Sequence, residues 1–583
     1  MSNRSALTRQ IALVLIVLMG VLMLPAPLAA QRTPSIVFAA DVPAIPAKIR
    51  LFTLTPTAAP TDFINEKLAA ASLPRLAPEG RTLVARGVTG AAPADRVRAR
   101  IDSASGDAHF IPNLADLVAA PRERIAMPKL VATAQAALRD VRFLPKDATE
   151  IRFADPVTVM GGASNHGAAG QGKLNPHVVL TIVPALRFAD GFPVLGLGSH
   201  AAVSLANDGT IVGALRRWRA AAPGAVVEGA PTADQVRADI ERQLAPQVEG
   251  GANRVSVDKI EVAYYDGGAG YLSPVIHFEA DVTSTDPTIS DTRVDGYVPI
   301  GKSPEAIPDL AAPDAGARPS STPGGKAPAA GPKAAGTPDD ISLGEFVNQD
   351  WPNNPSYEKM ANTFFSALAS GPNPVSRTIW WTAYPWQVVG PQSTSWMNAV
   401  NVAYTVPHGA WLVNTTDKRC CQDWHVADIG TGGNPGFGHA SGGVLATWII
   451  MSCEVIPSAY DRQYAAGGTG DPNQAFDAWW GVFQGLHNVI GFRTTMIYPD
   501  DALQSAFGAD AALGGDINAA WFDEVAAVEA FRGTYTNKKL IGSPQSHLDR
   551  ASTMIDARDL GHSIFNVSAH GPATTLWNFW MDN

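Results

Sequence analysis

The sequence predicts a two-part chain, an α+β region over residues 61–300 followed by an α/β domain over residues 341–583 built on a mostly parallel sheet. Three observations carry this. The first half alternates apolar and polar residues between Asx-Gly turns, the pattern of antiparallel hairpins. The second half sets short unbroken apolar runs between helical stripes, the pattern of strands buried on both faces. Between them, residues 301–340 include PSSTPGGKAPAAGPKAAGTP and have almost no large apolar residue. Such a stretch cannot bury enough surface to offset its ordering entropy, so it reads as a linker.

At the start of the chain, Arg4 and Arg9 precede the apolar run Ile11 to Leu24, which is followed by Pro25, Pro27, Ala29 and Ala30. The run is shorter than the ~20 residues of a membrane span. Charged, apolar and small-residue zones in this order predict a signal peptide over residues 1–30 and an exported protein, periplasmic or extracellular. No stable membrane insertion is expected after its removal, and an uncleaved anchor is the alternative. Residues 31–60, rich in Pro and Ala, read as an extended lead-in. Only 17% of residues are charged, the net charge is −10, and no Lys/Arg-rich run occurs. That balance argues against nucleic acid or an anionic membrane surface as the partner.

Within the first region, VPALRF, AAVSLA and TIVGAL alternate as strands around the turns ADG and NDG. Thr232 then caps a helix with Val236, Ile240 and Leu244 on one stripe, and Val255 to Tyr265 and Pro274 to Val282 alternate again. The segment RFADGFPVLGLGSHAAVSLANDGTIVGA resembles the propeptide modules of thermolysin-type metalloproteases, and Thr232 to Ile300 resembles the small cystatin-like unit that follows in them. The resemblance implies an inhibitory and chaperoning role towards an attached enzyme. H-E-x-x-H is absent, which excludes a thermolysin-like zinc peptidase here. Gly296, Gly301, Lys302 and Ser303 satisfy the phosphate-loop pattern, but Pro299 inside it and Pro304 after it remove the helix that such a loop needs.

In the second region, Val400 to Pro407 and Leu445 to Met451 read as buried strands. Trp479, Phe483 and Leu486 read as one face of a helix over Ala475–His487, and Ile517 to Phe531 as a second helix. His408-Gly409 follows the first strand and Cys453 the second. Neighbouring parallel strands deliver such positions to one edge of a sheet. A thiolate nucleophile needs a nearby imidazole, and a flexible Gly lets its N–H approach a developing oxyanion. This order resembles the caspase-like superfamily of cysteine peptidases, in which a His-Gly pair ends one strand and the Cys ends the next. With the continuation FQGLHNVIGF, the region also resembles an uncharacterised group of exported bacterial domains. The resemblance implies peptide hydrolysis, with Cys453 as nucleophile, His408 as base and acid, Gly409 assisting the oxyanion, and a peptide or protein substrate. The caspase Q-A-C-x-G signature is absent around Cys453.

The residues alone leave a second reading open, a non-catalytic binding or scaffold protein in which Cys453 is a core cysteine and His408 a structural histidine. The three cysteines, Cys420, Cys421 and Cys453, permit a vicinal disulfide or a bridge from either neighbour to Cys453. Cys420, Cys421, His425 and Asp428 match no closed zinc spacing. His439, in a glycine-rich loop, is expected to border the cleft, and His487 to pack in the core. No G-x-S-x-G elbow occurs, and neither a cofactor nor a metal is expected. Brief trypsin treatment should cut first near Lys326 or Lys333 and yield two compact fragments; earlier cutting elsewhere would misplace the boundary.

Overall fold

The computed structural model describes residues 36–87, 94–167, 174–248, 253–284, 292–311, 341–348, 356–382, 387–410, 414–417, 422–431, 433–461, 471–498, 501–531, 534–535 and 546–582. The proposed signal peptide, most of the linker, and Cys420 and Cys421 lie outside these residues. In the first half the principal strands are β1 (Val97–Asp102), β2 (Ala108–Phe110), β3 (Val157–Asn165), β4 (His177–Ala189), β5 (Ser199–Leu205) and β6 (Ile211–Trp218). They pair antiparallel in the order β3-β4-β5-β6-β2-β1. Asp190 and Gly191 turn the chain after β4 with φ of 48° and 86°. Positive φ at both turn positions matches the strand twist, which is why Asp-Gly marks the hairpin.

Helix α1 (Ala233–Val248) starts at the expected cap. Gln235 N donates to Thr232 Oγ1 and Thr232 N donates to Gln235 Oε1, while Val236, Ile240 and Leu244 are fully buried. It covers a second antiparallel sheet of β7 (Asn253–Asp266), β8 (Tyr271–Ser284) and β9 (Thr292–Pro299). Gly296 and Pro299 of the phosphate-loop pattern lie inside β9, with Gly296 opposite Phe278, and no helix follows Lys302 among the described residues.

In the second half are β10 (Ile341–Asn348), β11 (Val375–Thr382), β12 (Val402–Val406), β13 (His408–Ala410), β14 (Thr447–Ile450), β15 (Asn488–Phe492), β16 (Ala551–Asp556) and β17 (Thr575–Met581). Helices α2 (Ser356–Leu368), α3 (Asp501–Leu513) and α4 (Ile517–Val528) accompany them. Strands β11-β10-β12-β14-β15 are parallel in that order, β16 and β17 follow antiparallel, and β17 pairs with β3 from Thr575↔Asn165 to Met581↔Val159. One sheet therefore runs through both halves. It is mixed and mostly antiparallel, which corrects the expected mostly parallel sheet. Apolar runs mark strands without giving their direction, and β16 and β17 return as an antiparallel pair. A nick in residues 312–340 leaves the β3–β17 ladder in place, so the two halves should stay associated after cleavage.

The helix expected over Ala475–His487 is also corrected. Only Gln474–Asp477 is α-helical, and Gly485 has a φ of 94°. Trp479, Phe483 and Leu486 are nonetheless fully buried. Among the described residues, no helix is long and apolar enough to cross a membrane.

Helices α3 and α4 fasten the halves together through buried charges. Arg217 of β6 donates to Asp510 Oδ1 at 2.9 Å and to Glu524 Oε1 at 2.7 Å, and Arg100 of β1 pairs with Asp510. His109 of β2 touches Asp510 Oδ2 at 2.6 Å and Asp523 Oδ2 at 3.0 Å, Ser204 donates to Asp523 at 2.5 Å, and His200 lies 3.3 Å from Glu524. Asp516 caps α4 through the Asn518 and Ala519 amides and also accepts the Leu114 amide from the first half. Burial alone would raise Glu524, but Arg217, His200 and His109 outweigh it and hold the carboxyl well below the usual range. Burial lowers His109 and raises Asp523. A neutral imidazole has one N–H, so one of its two carboxylate contacts needs a proton from the acid, and Asp523 is the acid pushed that way.

Glu524→Ala should cost about 3–5 kcal/mol in urea unfolding at neutral pH, because it leaves Arg217 with half its counter-charge. Glu524 has a depressed folded value, so its contribution is complete above the unfolded value of about 4.3. It is lost only as pH falls through the lower folded value. The gap between wild type and variant should persist at pH 5 and shrink in stronger acid; a gap that closes between pH 7 and 5 would contradict this assignment.

Candidate active site

Strands β12 and β14 are adjacent and parallel, with Val402↔Thr447 and Thr405↔Ile450 in register. His408 and Gly409 follow the first and Cys453 follows the second, so all three reach the same sheet edge. His408 and Gly409 also form β13, paired with Asn414–Asp417 as His408↔Thr416 and Gly409↔Thr415. A Cβ on Gly409 would overlap the Cys453 carbonyl oxygen and crowd Ser452 Oγ. Glycine is needed at this position because the two backbones touch. The side chain of His408 lies outside what the structure describes, so its approach to the thiol is not on view.

Cys453 ends the apolar strand through Met451 and Ser452, and Glu454, with a φ of 59°, turns the chain away. Glu454 N donates to Thr494 O and Met451 N to Thr405 O, which fix both sides of the turn. A non-glycine residue at positive φ costs energy and persists only when its surroundings hold it. Cys453 is 3% exposed, in a narrow pocket whose lining includes Tyr357, Met360, Pro407 and Met496. Met496 N donates to its sulfur at 3.5 Å. Burial pushes the thiol far above its ordinary value, and the Glu454 and Asp549 charges add to this. As it stands, Cys453 is a protonated thiol at neutral pH.

Thr292, at the start of β9, lines the same pocket, and Arg293↔Ile497 and Val294↔Tyr498 pair parallel beside it. The first half therefore lies directly over the candidate nucleophile.

The opposite end of the parallel strands carries a second cluster that the sequence did not reveal as a group. His487, just before β15, is not a plain core residue. Its Nε2 contacts Ser568 O at 2.8 Å, its Nδ1 faces Asp559 Oδ1 at 3.4 Å, and its ring stacks on His570 at 4.4 Å. His570 Nε2 is 2.8 Å and His562 Nδ1 3.3 Å from Asp559. Burial lowers His487 to about 4. His439 lies at this end, away from Cys453: a Cβ on Gly485 would meet His439 N and His570 O at 2.7 Å each. That corrects its expected place beside the Cys453 cleft. The available signal was Asp559, His562 and His570 within a dozen residues. His425 is exposed and is outside both groups.

A separate cleft opens between the second sheet and helices α2 to α4, lined in part by Lys259, His277, Tyr297, Lys359 and Asp501. It does not reach Cys453.

No family model and no curated protein matches the chain. Among solved structures, it is similar to an uncharacterised protein from Eubacterium rectale at 8% identity, over 46% of this chain and 88% of that one, with a TM-score of 0.25. A likeness that weak carries no argument about fold or activity.

Gly409→Ala should lower stability by about 1–3 kcal/mol, because the added methyl must displace backbone at Cys453. Gly571→Ala, where a Cβ meets nothing within 4 Å, should leave the melting temperature unchanged. Equal melting of the two variants would rule out the close Gly409–Cys453 approach.

Proposed function

We propose that the protein is an exported Cys/His hydrolase of caspase-like arrangement, acting on peptide or protein substrates and latent in the intact chain. The observation that carries the reading is the pair of adjacent parallel strands that bring His408-Gly409 and Cys453 to one edge, with Gly409 packed on the Cys453 backbone. In the active form His408 takes the thiol proton and the thiolate adds to the scissile carbonyl, whose oxyanion the Gly409 amide receives. The imidazolium then protonates the leaving amine, and water, deprotonated by His408, releases the acyl group. Latency follows from burial: a thiol among Tyr357, Met360 and Met496, with Thr292 beside it, keeps its proton. The likeness of the first half to protease propeptides gives that covering a role, inhibition until the contact at Thr292 opens locally.

The same burial favours a second reading, a non-catalytic binding protein that uses the cleft lined by Lys259, His277, Tyr297 and Lys359. Thiol alkylation at pH 6 separates them, because a free thiol of pKa ~8.5 is almost wholly protonated there. The intact chain should label slowly at Cys453. After trypsin nicking in residues 312–340 and brief exposure to mild denaturant, the hydrolase reading expects labelling faster than a free thiol, lost in Cys453→Ala and slowed in His408→Ala. Labelling no faster than a free thiol in the opened protein, unchanged by His408→Ala, would leave only the binding reading.

A further inference from the structure

We propose that Asp559, His487 and His570 form a binding site for a divalent transition-metal ion of the zinc class, at the end of the sheet opposite Cys453. The argument starts from which ring nitrogens are committed. His487 Nε2 lies 2.8 Å from the Ser568 carbonyl, and a carbonyl only accepts, so that nitrogen carries the hydrogen. His570 Nδ1 lies 3.1 Å from the Gly571 carbonyl and is committed in the same way. The remaining nitrogens, His487 Nδ1 and His570 Nε2, then present lone pairs to Asp559, at 3.4 Å and 2.8 Å. Lone pairs facing a carboxylate repel unless a cation stands between them. Two extra protons would serve, but so would one metal ion, which binds neutral imidazole and ionised carboxylate together.

Ligand geometry agrees. Ligands about 2.0–2.1 Å from a tetrahedral zinc sit roughly 3.3 Å from one another. The ligand atoms of His487, Asp559 and His570 all fall within 4.8 Å of one another. Backbone carbonyls holding the far nitrogen of each ring supply the outer support that fixes a metal-bound imidazole's tautomer and orientation. His562 Nδ1, although 3.3 Å from Asp559, is taken up by the Asn566 side-chain amide, so the protein supplies three ligands and leaves the fourth position to water. His439 Nδ1 is buried with no hydrogen-bond partner among the described residues, on the loop that abuts the His570 backbone. Entry is open: His487 and Asp559 are 1% and 2% exposed, but the His570 and His562 side chains are 13% and 22% exposed. An all-N/O donor set of this kind suits zinc in preference to calcium or magnesium, which take oxygen.

Untagged full-length protein, stripped with chelator and titrated with zinc alone, should bind one ion per chain and gain thermal stability as it fills. Cobalt in its place should give the intense visible absorption of a four-coordinate site. Asp559→Asn and His570→Gln should each weaken zinc binding at least tenfold. His425→Gln, in an exposed histidine beside the cysteine pair, should leave it unchanged. The wild-type titration needs no variant to fold, so it decides even if Asp559→Asn unfolds. No zinc bound at micromolar concentration means that Asp559 is neutralised by imidazolium alone, and the proposal fails. It fails equally if zinc binding survives both ligand variants or disappears in His425→Gln, which would move the site to another group.

Discussion

Arg217 reaches from the hairpin sheet to Asp510 and Glu524 on two successive helices, and His109 stands between Asp510 and Asp523. All of these acids are buried, so neither half can leave the other without stranding charges in an apolar surface. Such networks add little net stability compared with hydrophobic packing, because desolvation offsets most of the attraction. Their effect is on geometry. An apolar contact tolerates a slide of an ångström or two, whereas five acceptor oxygens and four cationic or imidazole groups match in a single arrangement. The placing of α3 and α4 against the first half, and with it the position of β9 over Cys453, depends on that match.

The local patterns were legible where local physics decides. Asp190-Gly191 specifies its turn by φ, and Thr232 with Gln235 caps α1 within four residues. Ile517 to Phe531 was read almost to its ends, with Val528 closing the α-helix and Glu529–Phe531 a 3-10 turn. Misreadings came where distant chain decides. The apolar spacing of Trp479, Phe483 and Leu486 fits a helix, but Gly485 takes a left-handed φ so that the His439 and His570 segments can close on it. The acids of α3 and α4 stood in plain view among Ala, Phe and Trp. A charge on an otherwise apolar helix signals a buried partner, but nothing local says that the partners are on β1, β2, β5 and β6.

The candidate site divides the same way. That His408-Gly409 and Cys453 follow neighbouring strands was readable from two apolar runs, and β12 and β14 are indeed adjacent. The depth of the thiol was not, because Met496, Tyr357 and Thr292 come from three other parts of the chain. His487 was readable as buried but not as part of a group, since Asp559 and His570 reach it from beyond β16.

The ladder between β3 and β17 has a consequence for how the chain is made. Thr575 bonds Asn165 across 410 positions of sequence. At about 5–20 residues per second, β3 is synthesised on the order of half a minute before its neighbour exists. Through that interval one flank of β3 is a bare strand edge, competent to pair with any other extended segment. Contacts of such long range also form slowly, since closure entropy must be met before they contribute. Aggregation during production should therefore be governed by what shields β3 before β17 arrives, a problem for chaperones rather than for the finished fold.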